Sequence, residues 1–65
     1  MDLKREWRIF LASIGKTESD VAKENGYNIP NLNRRINSQT IKYVELSDIV
    51  EKYGYSIKIH LKKED

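Results

Sequence analysis

"TESDVAKENGYNIPNLNRRIN", Thr17 to Asn37, decides how the whole 65-residue chain is read. In its first half Thr17 stands three residues ahead of Asp20, a variant of the capping box that usually has Glu or Gln in second place. Val21 and Ala22 fall on the inward side of a helix predicted over 18–25, and Gly26 stops it. So short a helix has no stability of its own and survives by packing. In the second half Asn28 is a good N-cap, and Pro30 lies in the first turn, where its missing N–H is no loss. Ile29, Leu32 and Ile36 follow at separations of three and four, which puts them on one face of a helix predicted over 29–37. Pro30, Asn31, Arg34 and Arg35 then point away from the core, with Asn33 and Asn37 on the flank and Asn37 expected to terminate the helix.

Upstream, Leu3, Trp7, Phe10, Leu11 and Ile14 trace one face of a helix over 2–14, capped by Asp2 and ended by Gly15; Ile9 lies off that stripe. Downstream, "NSQT" (Asn37–Thr40) is a polar connector. Ile41, Val44, Leu46, Ile49, Val50 and Tyr53 come at mostly helical spacing, predicting a helix over 43–53 that Gly54 ends, with Ile41 packing as an extended residue before it. After Gly54 the period changes. "YSIKIHLK" alternates Tyr55, Ile57, Ile59 and Leu61 with Ser56, Lys58, His60 and Lys62, the pattern of a half-buried strand over 55–62, and the remaining "KED" is expected to fray.

The length allows one domain, 1–65, with a thin core, because a chain this small buries only about 60% of the surface it exposes unfolded. With no cysteine there is neither a disulfide framework nor a thiolate metal site, and the single histidine, His60, cannot hold a metal unaided. No apolar run approaches the roughly 20 residues of a membrane helix, and "MDLKREWRIF" places charges where a signal peptide would be apolar. A soluble cytoplasmic, nucleoid-associated protein is the expectation. The net charge is only +2, but its distribution is uneven: Asp and Glu are absent from Gly26 to Val44, a window that holds Arg34, Arg35 and Lys42.

The chain offers no nucleophile-and-base constellation, phosphate loop or metal spacing, so neither an enzyme nor a cofactor or small-molecule ligand is expected. Trp7 and Phe10 at helical spacing read as core rather than as a ligand site. Glu18 and Asp20 read as acids favoured by a helix N-terminus. Paired arginines are ordinarily a solvated face, and Arg35 has the alternative of pairing with an acid on another helix.

A short second helix, a glycine turn and a polar third helix make a helix-turn-helix unit, and Thr17–Asn37 resembles that of small Cro-like, phage-repressor-type regulators. The likeness rests on Ala22, where a small residue lets two helices approach, on Gly26 four residues later, and on the anchors Leu32 and Ile36. "NLNRRIN", "TIKYVEL" and "EKYGYSIKI" are similar to the corresponding segments of short bacterial members, so the resemblance covers nearly the whole chain. Two positions depart from the pattern: Asn25 stands where an apolar residue is usual, and Pro30 where a glutamine or similar side chain is common. The resemblance implies a mainly α, four-helix lambda-repressor-like domain with a C-terminal β-strand, binding double-stranded DNA with helix 29–37 in the major groove. Base contacts are then expected from Asn28, Pro30, Asn31, Asn33 and Arg34, with Arg34 on guanine, Asn31 or Asn33 on adenine, and Pro30 against a thymine methyl. Phosphate contacts are expected from Lys16, Thr17, Ser19, Arg35, Ser38, Gln39, Lys42 and Tyr43.

A lone strand leaves backbone groups unpaired. The economical solution is a homodimer in which two terminal strands pair antiparallel through Tyr55, Ile57, Ile59 and Leu61; the alternative is an arm folded back on its own helices. A dimer would suit a repressor reading a palindromic site. The competing function is a protein-interaction module, antitoxin- or antirepressor-like, that keeps the fold without reading bases.

Overall fold

The computed structural model describes residues 3–57, which form four helices: α1 (Leu3–Ile14), α2 (Glu18–Glu24), α3 (Ile29–Ser38) and α4 (Tyr43–Glu51). Each helix buries the greater part of the stripe its spacing implies. Leu3, Trp7 and Phe10 come from α1, Val21 and Ala22 from α2, Leu32 and Ile36 from α3, and Leu46, Ile49 and Val50 from α4. Ile9, off the α1 stripe, is exposed. Phe10 lies between aromatic neighbours, with the Trp7 ring 5.3 Å away and Tyr53 and Tyr55 edge-on at 5.8 and 5.4 Å.

α3 packs against both α1 and α2, and its two anchors are closed off from solvent, Leu32 at 0% and Ile36 at 2% exposure. Burying one such side chain is worth about 1.5–3 kcal/mol. That is a large share of what a core this size can supply. The inner face of α3 is therefore fixed in rotation, and the polar side chains opposite are fixed with it.

All four helices stop in the same way. A left-handed residue (Gly15, Gly26, Gln39 or Gly54) follows each last turn. The next N–H then reaches back five residues: Lys16 to the Leu11 carbonyl at 3.2 Å, Tyr27 to Ala22 at 2.8 Å, Thr40 to Arg35 at 2.9 Å and Tyr55 to Val50 at 3.1 Å. At Gly26, with φ of +75°, the missing Cβ lets the chain double back from α2 into α3 within a few residues. Gln39 adopts φ of 58° without that freedom. Its side chain offsets part of the cost, because its Oε1 accepts the Leu3 backbone N–H at 3.3 Å and so caps α1.

Several boundaries differ from the sequence reading. α3 runs through Asn37 to Ser38, because the stop is Gln39 and not an asparagine. α2 ends at Glu24 with Asn25 as its C-cap, and α4 ends at Glu51, leaving Lys52–Gly54 in a turn. Val44 is 66% exposed and not part of the inner stripe. It precedes Leu46 by two residues, about 200° around a helix, so the two cannot share a face. Tyr55–Ile57 show no regular secondary structure, and the rest of the expected strand, with Ile59 and Leu61, lies outside the described residues, as does the Asp2 cap. Among the described residues no helix is long and apolar enough to cross a membrane.

Candidate nucleic-acid interface

The unit α2–turn–α3 is built by local hydrogen bonds that the sequence foretells. Thr17 Oγ1 accepts the Asp20 N–H at 3.1 Å while Asp20 Oδ2 accepts the Thr17 N–H at 3.0 Å, closing the capping box. The bond from the Thr17 backbone holds the Asp20 carboxyl below the usual carboxylate range. At the next helix Asn28 Oδ1 accepts the Asn31 N–H at 3.0 Å, and Pro30 occupies the first turn.

The turn itself is tied to the end of α4. Asn25 Nδ2 donates to the Val21 carbonyl at 2.8 Å and to the Tyr53 hydroxyl at 3.1 Å, and its Oδ1 accepts from Lys52 Nζ at 2.8 Å. The Tyr53 hydroxyl donates to Glu24 Oε1 at 2.8 Å, and Lys16 Nζ meets Glu24 Oε2 at 2.7 Å. Asn25 thus closes the turn against the end of α4 with a hydrogen-bonded clamp. The contacts move the titrations as expected: the bond to Glu24 raises Lys16, and the bonds from Lys16 and then Tyr53 lower Glu24. Tyr53 is raised by its burial first and by Glu24 second.

On the outer face of α3, Asn28, Pro30, Asn31 and Arg34 are brought together around a shallow depression. Arg34 Nη2 donates to Asn31 Oδ1 at 2.6 Å, an i, i+3 pair along the helix. Asn33 sits apart on the flank: its Nδ2 donates to Glu18 Oε2 of α2 at 3.2 Å, and its Oδ1 accepts from Asn37 Nδ2 at 3.0 Å.

The residues expected on phosphates are spread over three places, the start of α2, the end of α3 and the start of α4. Lys16 and Arg35 are in ion pairs, Arg35 with Glu45 of α4 at 2.8 Å. Thr17 is in the capping box and Ser19 beside it is half-buried. Ser38 Oγ donates to the Arg34 carbonyl at 2.7 Å and lies 2.8 Å from Thr40 Oγ1, while Gln39 caps α1. Lys42 and Tyr43 are exposed where α4 begins, and Lys42 makes no side-chain cap there. Glu18, Glu45 and Asn25 are position-setting residues whose partners on other elements the sequence does not reveal. Glu45 borders the acid-free segment, Glu18 lies eight residues before it, and the two face α3 from α4 and α2.

No protein-family model, curated protein or solved structure matches the chain.

Proposed function

We propose that the chain is a sequence-specific double-stranded DNA-binding protein of the small Cro-like helix-turn-helix kind, acting as a transcriptional repressor or related regulator. The observation that carries this reading is the face of α3. A helix anchored by Leu32 and Ile36 displays Arg34, braced at 2.6 Å by Asn31, beside Pro30 and Asn28, with no acid in the segment. An exposed arginine held at a fixed angle near the middle of such a short helix suits the base edges of the major groove. Lys42 and Tyr43, exposed at the start of α4, supply candidate contacts to the flanking phosphates. Two copies paired through their C-terminal segments would present two such helices to a palindromic site. Selection from random DNA is the test. An enriched palindrome with a steep loss of affinity on added salt is the expected result. Retention of no DNA at low salt defeats the proposal.

A second reading, a protein-interaction module, draws on one feature: an apolar groove beside α1, lined by Leu3, Trp7, Phe10, Leu46, Val50 and Tyr55, with exposed Ile9 on its edge. The Trp7 indole N–H is buried there without a partner among the described residues. Co-purification of the chain with one protein and no DNA retention would favour this second reading.

A further inference from the structure

Resting on the DNA-binding reading, we infer that α3 reads guanine through Arg34 alone and is blind to adenine, its asparagines being spent on holding the helix and the arginine in place. A specific contact to adenine needs one amide to accept from N6–H and donate to N7 at once. In each amide of α3 and its cap the oxygen, the nitrogen or both are already turned into a bond within the protein, so a two-ended adenine contact would have to share or redirect that bond. Asn28 Oδ1 caps the Asn31 N–H, Asn31 Oδ1 receives Arg34, and Asn33 is engaged at both ends, by Glu18 and by Asn37. Asn37 commits its own Nδ2 to Asn33. An amide-rich stretch that invites an adenine reading is, in the folded protein, a chain of caps and struts.

Arg34 has the opposite balance. A guanidinium carries five N–H donors in a rigid fork, of which the bond to Asn31 uses one. The remaining four are ample for a two-pronged contact to guanine O6 and N7. Asn31 is therefore a positioning residue: it restrains a long side chain that would otherwise lose conformational freedom on binding, a saving of about 2- to 10-fold in affinity. Pro30 shares the depression with Arg34 and carries no donor, so its ring fits the C5-methyl of a neighbouring thymine.

The experiment is selection from random DNA by the full chain, followed by binding measurements on the selected site with each position replaced in turn. The set is repeated with Arg34→Ala, Arg34→Lys, Asn31→Ala, Asn31→Asp and Asn33→Ala, each checked for helical content. One guanine per half-site should be preferred by about 5- to 100-fold. That preference should vanish in Arg34→Ala and shrink in Arg34→Lys, which keeps the charge and the salt dependence but loses the fork. Asn31→Ala should weaken it by about 2- to 10-fold at that position only. Asn31→Asp keeps the acceptor, so it should keep the guanine preference while binding all sequences less tightly. Asn33→Ala should leave every base preference in place. An adenine preference that disappears in Asn31→Ala or Asn33→Ala overturns the inference and leaves DNA binding standing. A folded chain that enriches no DNA overturns both.

Discussion

Arg34 and Arg35 are adjacent, chemically identical and about 100° apart around α3. Arg35 turns towards α4 and joins Glu45 at 2.8 Å, half-buried, as part of the packing. Arg34 stays exposed, bonded to its own helix through Asn31. Identity of side chain therefore does not set its role; the element facing it does. A residue bonded to a second helix contributes to holding the fold, and one bonded only along its own helix is displayed by it. Lys16 falls with Arg35, because Glu24 of α2 holds it.

The comparison breaks completely if the platform is lost. Leu32 is fully enclosed, and Leu32→Ala should cost about 2–5 kcal/mol, enough to unfold much of a domain this small. Thermal melting followed by circular dichroism should show a Tm collapse, with both arginines losing their environments together. A melt within a few degrees of the parent would mean that α3 is not held by its anchors.

Splitting the two arginines sharpens the contrast. Arg34→Ala should cost about 1–3 kcal/mol at a selected DNA site and leave stability within about 0.5 kcal/mol. Arg35→Ala should do the reverse, lowering stability by about 0.2–1 kcal/mol while base preference persists, since a partly exposed ion pair contributes no more than that. Equal effects of the two substitutions on both measurements would erase the distinction.

How much of this was legible beforehand follows the same division. Interactions within a few residues were readable: the capping box at Thr17, the Asn28 cap, the Gly15, Gly26 and Gly54 stops, and the buried stripes. Interactions between distant elements were not. Nothing local announces that Asn33 meets Glu18, that Asn25 clamps Tyr53 and Lys52, or that Gln39 caps α1 from 36 residues away. The end of α3 belongs to the same class. A glutamine in the left-handed region breaks the usual preference and is explained only by the long-range bond it makes. On α3 the outward face was likewise readable, and which amides on that face were already engaged was not.

Gln39 permits a direct test of how the end of α3 is set. Gln39→Ala removes the cap on Leu3 and keeps the left-handed strain, whereas Gln39→Gly removes both. The glycine variant should therefore be more stable than the alanine variant by about 1 kcal/mol, measured by urea denaturation. If the two unfold together, strain at this helix end is negligible and the side chain alone sets its stability.

The smallest effect concerns the cation grouped with Arg35. Glu24 is held below its ordinary range by Lys16 and then Tyr53, and Asp20 by the Thr17 backbone. A carboxyl whose folded pKa lies below its unfolded value binds its proton first in the unfolded chain. Its stabilising contribution is thus complete above the unfolded value and is lost as pH falls through the folded one. Lys16 has the opposite sign: raised in the folded chain, it contributes fully below its unfolded pKa and loses that contribution as pH climbs through the folded one. Tm should consequently decline at both the acid and the strongly alkaline ends. Glu24→Gln should flatten both limbs, since it removes the shifted carboxyl and the partner that raises Lys16, whereas Arg34→Ala should leave the profile unchanged. An acid limb that stays as steep in Glu24→Gln as in the parent would show that Lys16 is displayed like Arg34, not committed like Arg35.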